Sequence, residues 1–453
     1  MHAKQLRKLD ADLSEFVDEL LEGMGRSERR DSMRHYIEGL LLDGERKSIE
    51  PMARRLVSAA GEVDAMRQRL QECVTRAKWL DDEMFGRLAR KIDAELPGAE
   101  ALIFDDTGFP KKGTHSVGVQ RQYSGTLGRV DNCQVGVSLH LGGERGSCCI
   151  GMRVYLSKEW AADTERRRKA GVPDDVTFKT KHRIAFDQLD AAARWGVRKH
   201  VVLADAGYGD DTEFRAGLDE RGHGYVVGIQ SSISVWKPGS EPVPPTKSQK
   251  KKRGRPRTRH VGRSKPLSVT ELATSIGTTS LKLLTWREGS NGPQRSRFGA
   301  IRVRTAHGHS KGASPGPEVW LVWGWPPDVE KPNKFWLSNL PATTSLKRIV
   351  YLAKLRWRVE RDYQEMKGEV GLDHYEGRTW RGWHHHCTLV ATAHAFLTLQ
   401  RVLSPPILDE LDAAGGASTA SARAARSSRR VPPMRRRGSR AGAATTGLAH
   451  VIG

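Results

Sequence analysis

The spacing of apolar residues changes period along the chain, and each change predicts a different kind of element. Up to about residue 97 the period is helical. Asp12-Leu-Ser-Glu-Phe-Val-Asp-Glu-Leu-Leu21 is amphipathic, Ser32 to Leu42 continues the pattern, and Ser48 to Leu56 and Asp64 to Leu96 predict two more helices. From Ala101 the apolar runs become short. Ala101-Leu-Ile-Phe104 ends in Asp105-Asp106, and a Lys- and Gly-rich loop follows. Gln134 to Leu141 and Cys148 to Leu156 then read as strands of a hairpin turned at Gly142-Gly143. Thr180 to Trp195 is predicted as a helix, His200 to Ala204 as a fully buried strand, Asp211 to Arg221 as a helix and Tyr225 to Ile229 as a strand. That order describes an α/β sheet with helices on its faces.

Residues 237 to 266 interrupt the pattern with Lys, Pro, Gly and Arg. Within them Arg253-Gly254-Arg255-Pro256 resembles the core of an AT-hook, which lays arginines along a narrow minor groove. Residues 280 to 340 look β-rich, with Trp286, Trp320, Trp323, Trp325 and Trp336. Ser345 is a plausible N-cap, and no Gly or Pro follows it up to Lys367, which predicts one continuous helix. Beyond about Pro405 the Ala-, Gly-, Ser- and Arg-rich composition predicts disorder. The resulting division is 1–97, helical and a candidate DNA-docking or packing module; 98–232, first part of the α/β core; 233–340, basic linker and β-rich insertion; 341–402, second part of the core; 403–453, basic tail.

Composition narrows the partners. The 453 residues carry a formal charge of +22, which points to a polyanion, and phosphate backbones bind such charge without sequence preference. No run approaches the length of a membrane helix, and the N-terminus lacks the apolar segment of a signal peptide, so a cytoplasmic protein, nucleoid-associated when bound to DNA, is expected. Five cysteines without CxxC spacing read as reduced, partly buried thiols.

Candidate chemistry sits at three acidic positions. Asp105 and Asp205 each follow a buried apolar run, where an open α/β sheet gathers functional groups. Glu360 lies on the predicted helix, where a 3.6-residue period puts Arg356, Glu360, Tyr363 and Lys367 on one face beside an apolar stripe of Leu352, Leu355, Val359 and Met366. Taken alone, such a helix is more often a surface of ion pairs. Three carboxylates brought together would offer an all-oxygen site suited to Mg²⁺ or Mn²⁺. Two such ions would activate water and stabilise a leaving 3′ oxygen in phosphodiester cleavage. His384-His385-His386 beside Cys387 lacks zinc-finger spacing and reads as helix packing or phosphate contact.

Several stretches carry a family resemblance. Asp105-Asp106-Thr-Gly-Phe-Pro-Lys-Lys-Gly113, Gln120-Arg-Gln-Tyr-Ser-Gly125, Asn132-Cys-Gln-Val-Gly136, Ala204-Asp-Ala-Gly-Tyr-Gly209, Arg356-Trp-Arg-Val-Glu360 and Gly371-Leu-Asp-His-Tyr-Glu-Gly-Arg378 resemble the insertion-sequence transposases of the DDE superfamily. The resemblance implies a ribonuclease H-like mixed sheet flanked by helices, with a β-rich insertion between the second Asp and the Glu. It implies a metal-binding triad of Asp105, Asp205 and Glu360, with Asp106 as rival for the first position, and Mg²⁺ or Mn²⁺ as cofactor. Arg356 and Lys367 match the Arg and Lys of the Tyr-Arg-Glu-Lys pattern, whereas its Tyr falls at Ala353, leaving Tyr351 or Tyr363 as substitutes. Lys111, Lys112, Arg253 and Arg255 join Arg356, Lys367 and Tyr363 as candidate DNA contacts. The implied partners are double-stranded transposon-end and target DNA, with a homodimer in the DNA complex. The alternatives are a structure-specific nuclease and a basic DNA-binding remnant with idle carboxylates.

Overall fold

The computed structural model describes residues 3–244, 259–260, 262, 264–289 and 292–403. Arg253, Arg255 and the tail beyond residue 403 lie outside the described residues. The chain opens with helices α1 (Ala3–Leu21), α2 (Ser27–Leu41), α3 (Ile49–Leu56), α4 (Val63–Thr75) and α5 (Asp81–Glu95). The single helix expected over Asp64 to Leu96 is therefore two. The chain turns between them because Trp79 folds into the core, donates its indole N–H to the Cys73 carbonyl (3.0 Å) and stacks on His385 (ring centroids 3.7 Å apart). The apolar period runs through both helices and hides this break.

Next come β1 (Ala101–Pro110), β2 (Gln120–Ser124), β3 (Arg129–Gly142), β4 (Ser147–Val154), α6 (Lys158–Ala162), α7 (Thr164–Ala170), α8 (Lys181–Arg194), β5 (Val201–Ala204), α9 (Ala206–Gly209), α10 (Thr212–Glu220) and β6 (Tyr225–Ile229). They are followed by β7 (Ser234–Trp236), β8 (Leu267–Ser268), α11 (Val269–Ile276), β9 (Lys282–Gly289), β10 (Gly292–Thr305), β11 (Glu318–Gly324) and β12 (Lys334–Ser338). Three helices close the described chain: α12 (Leu346–Leu355), α13 (Trp357–Gly368) and α14 (Trp380–Leu403). The fold is thus the mixed α/β arrangement expected of a ribonuclease H-like transposase.

All these strands form one sheet in the order β2-β3-β1-β5-β6-β12-β11-β10-β7-β8, with β4 also on β3 and β9 on β10. β1, β5 and β6 run parallel, and β3 is antiparallel to β1. The β-rich stretch after residue 280 does not build a sheet of its own. β12 pairs antiparallel with β6, placing Phe335 opposite Ile229, and so prolongs the same sheet.

Side-chain alternation gives the sheet two apolar faces. Leu102, Phe104, Val202 and Ala204 point into a large core continuous with the N-terminal helices. Ala101, Ile103 and Leu203 point the other way, against Ile349, Leu352, Leu355 and Val359 of α12 and α13. Helix α14 packs against β4, α2, α4 and α5 and is buried along most of its length.

Candidate active site

Strand parity places the first two acidic residues. Asp105 shares the face of Ala101 and Ile103, toward α12 and α13, and Asp205 follows Val201 and Leu203 on the same side. The β1–β5 register pairs Ile103 with Leu203 as its last pair, so Asp105 on β1 and Asp205 just past β5 leave adjacent strands on the same side, near enough for the Asp205 charge to act on Asp105. Asp105 lies within β1, which continues to Pro110, and not past a strand end as its apolar run suggested. Asp205 does sit past its strand. It caps the short α9, accepting the Gly207 N–H (2.9 Å), and this fixes its carboxylate at the end of β5. The turn after it is tight: a Cβ at Gly209 would meet the Gly228 carbonyl oxygen at 1.9 Å.

The helix expected to run unbroken from Ser345 to Lys367 is interrupted at Arg356. Ser345 caps α12 as expected, accepting the Arg348 N–H at 3.2 Å. At Arg356 the backbone tightens, with Val359 N–H bonding the Arg356 carbonyl at 3.1 Å. The guanidinium turns to the sheet, where Nη1 donates to Asp105 Oδ2 (2.6 Å) and Nη2 to Glu360 Oε1 (2.9 Å). A tertiary ion pair, with no helix-breaking residue in the sequence, marks the junction. It also links Asp105 to Glu360, whose side chain is otherwise 61% exposed.

Burial pushes the Asp105 carboxyl up to about 7; the Arg356 cation opposes that shift and the neighbouring Asp205 carboxylate adds to it. A carboxylate so far above its ordinary range marks negative charge that one guanidinium does not fully compensate. That is the environment a divalent cation would relieve, and the donors are all carboxylate oxygens, which suits a hard ion such as Mg²⁺ or Mn²⁺. As placed, no three His, Cys, Asp or Glu side chains among the described residues stand close enough to cage an ion, and Arg356 holds the gap between Asp105 and Glu360. The donor set fits the ion; the geometry on the page is that of the Arg356-bridged form.

The other anticipated residues have diverse placements. Asp106 points to the opposite face of β1, where it pairs with Lys181 Nζ at the start of α8 (2.5 Å). Lys111 Nζ donates to the Tyr375 carbonyl (2.8 Å) and Lys367 Nζ to the Gly108 carbonyl (3.0 Å), so both cations border the loop beyond β1. Lys112 is exposed beside them. Tyr363 turns inward, its hydroxyl 2.5 Å from Ser138 Oγ, while Tyr351 donates to Glu100 Oε1 at 2.6 Å. The three consecutive histidines are packing residues. His384 bonds the Trp380 carbonyl, His385 the Trp79 carbonyl and His386 the Gly371 carbonyl and Tyr36 hydroxyl. Burial lowers each of them to about 4. Ser138, His140 and Asp362, which the sequence reading passed over, meet directly behind Asp105. Their signal was two polar residues at alternate positions inside an otherwise apolar strand.

Residues 19–293 match the family described as DDE superfamily endonuclease, a stretch that spans Asp105 and Asp205. The chain belongs to this family. It is also similar to a probable transposase for insertion sequence element IS701 from Microchaete diplosiphon, with 30% identity over 199 residues. That alignment covers 44% of this chain and 48% of the relative, so the chain spans about half of that protein's length in the match. Among the described residues no helix is long and apolar enough to cross a membrane.

Proposed function

We propose that this DDE endonuclease is a transposase that cuts the ends of its insertion sequence and joins the freed 3′ ends to target DNA. The observation carrying the reading is that Asp105, within β1, and Asp205, just past the end of the adjacent parallel β5, follow the same face of the sheet, beneath the helix that presents Glu360. Bound there, divalent cations would supply an activated water and charge neutralisation at the scissile phosphate. Asp105, Asp205 and Glu360 would hold them. Arg356, already seated between two carboxylates, carries a fixed positive charge to the place where phosphate charge develops. Lys367, Lys111 and exposed Lys112 line the approach beyond β1 and would hold flanking phosphates. Strand transfer in the same site requires a second DNA and, in this reading, a second copy of the chain to pair the two ends.

The test uses the purified full chain, Mg²⁺ or Mn²⁺, and a plasmid carrying the DNA that flanks the gene. Wild type is expected to cut at the element ends and yield joined products. Since a metal-holding carboxylate supplies several kcal/mol of transition-state stabilisation, Asp205→Ala or Glu360→Gln should slow cleavage by about 10³-fold. Full activity in either variant would overturn the reading. Cleavage without joined products would favour a nuclease on the same site.

A further inference from the structure

Behind Asp105 a chain of buried polar side chains connects the sheet to α13. Asp362 Oδ2 lies 2.6 Å from His140 Nδ1, His140 Nε2 lies 3.0 Å from Ser138 Oγ, and Ser138 Oγ lies 2.5 Å from the Tyr363 hydroxyl. Asp362 also accepts the Ser147 hydroxyl on both oxygens, at 2.7 and 2.8 Å. Ser138, His140 and Asp362 are all buried. A carboxylate only accepts, so His140 donates to Asp362 from Nδ1 and turns Nε2 to Ser138 Oγ, a hydroxyl that also contacts Tyr363 and the Asp105 carbonyl. A Ser-His-Asp sequence this deep has no access to a substrate, which excludes a hydrolytic role.

Its position points to another role. Ser138 is the direct cross-strand partner of Asp105, and its hydroxyl lies 3.3 Å from the Asp105 carbonyl. Asp362 and Tyr363 flank the other side, two and three residues after Glu360. Residues two apart on a helix point roughly 200° apart, so α13 sends Glu360 toward Asp105 and Asp362 into the core. The Tyr363 ring stands edge-on to His140, with centroids 5.4 Å apart and planes at 89°. The helix is thereby fixed to β3 through Ser138 and His140 and to β4 through Ser147, at two consecutive residues just after Glu360.

Building on the active-site reading above, we propose that Asp362, His140, Ser138 and Tyr363 are positioning residues: their hydrogen-bond chain sets the seat of α13 on the sheet and with it the separation of Asp105 and Glu360. Sites that transfer phosphoryl groups tolerate little error in such a separation, since a displacement of about 1 Å can cost on the order of 100-fold in rate.

Tyr363→Phe keeps the ring and removes only the terminal hydroxyl; Ser138→Ala removes the middle link. With full-length protein and the same plasmid, both are expected to lower cleavage turnover per folded molecule by about 10–100-fold, with binding of that DNA held within about twofold. His140→Gln, which retains reach to Ser138, should keep more turnover than His140→Leu. A lower melting temperature with unchanged turnover per folded molecule would overturn the proposal and leave a purely structural network. A second readout needs no cleavage: amide hydrogen exchange across Asp105–Gly108 should quicken roughly 5–10-fold in Tyr363→Phe, the worth of one net hydrogen bond. Unchanged exchange there would also overturn it. Absence of cleavage by wild type would count against the transposase reading alone, with the exchange measurement still deciding this one.

Discussion

Replacing Asp105 with Asn should make the metal-free protein more stable while removing its activity. The buried Asp105 carboxyl has its folded value raised from an ordinary 3.8 to about 7. A group raised in this way holds its proton more tightly when folded. Its contribution is therefore neutral to folding below about pH 4, and stability is lost as pH rises toward 7. Three units at about 1.36 kcal/mol each set an upper bound of roughly 4 kcal/mol on the cost of ionising Asp105 in place. The Arg356 attraction is already contained in that balance, and Arg356 keeps Glu360 as a partner at 2.9 Å in the variant. Local relaxation and water entry reduce the bound, so a gain of about 1–2 kcal/mol at pH 8 is expected. For a chain this size that is a rise of a few degrees in melting temperature. The assay is thermal unfolding of wild type and Asp105→Asn in EDTA from pH 4 to pH 8. The two curves should converge at the acid end and separate progressively above it. An Asn variant equal to or less stable than wild type at pH 8 would refute the reasoning, because Asp105 would then not be an under-compensated charge.

Further perturbations test separate parts of the argument. Gly209→Ala places a Cβ 1.9 Å from the Gly228 carbonyl oxygen, and should cost about 1–3 kcal/mol of stability together with cleavage, because the turn carrying Asp205 must move; calorimetry and the plasmid assay check both. Glu365 is pushed up by its burial, but its bonds to Arg401 and His394 outweigh this and hold its carboxylate well below the usual range. Its stabilisation is therefore full above the ordinary carboxylate value and shrinks gradually as pH falls below it; Glu365→Gln should cost about 3 kcal/mol at pH 7 and less, though still a measurable amount, at pH 3 in denaturant titrations. Lys112 is exposed beside the site, so Lys112→Ala should reduce the slope of log affinity against log salt by about 0.9 while turnover of bound DNA stays unchanged. An unaltered slope would remove Lys112 from the DNA interface.

Much of this molecule is legible in the order of its residues. Apolar periodicity located α8, β5, α10 and β6 to within a residue or two and the cores of β1 and the β3–β4 hairpin, because a buried strand and a half-buried helix each leave a local pattern; it missed the polar ends of β1, which runs on to Pro110, and of β3, which starts at Arg129. The acidic motifs and their family resemblance singled out Asp105, Asp205 and Glu360 with no coordinates. Other features depend on what packs against what. Asp105 and Asp106 are equivalent as sequence, and they separate only because β1 turns odd positions toward α12 and α13 and even positions toward α8 and Lys181. The break at Arg356 has no local cause, since it arises where a guanidinium meets two carboxylates, one of them 251 residues away along the chain. The β-rich stretch looked like an added unit, yet its strand β12 completes a ladder with β6 that no local propensity specifies. His140 and Asp362 likewise meet across 222 residues. Local composition fixes which segments are helix or strand, but the pairing of charges depends on which faces the burial of apolar surface brings together.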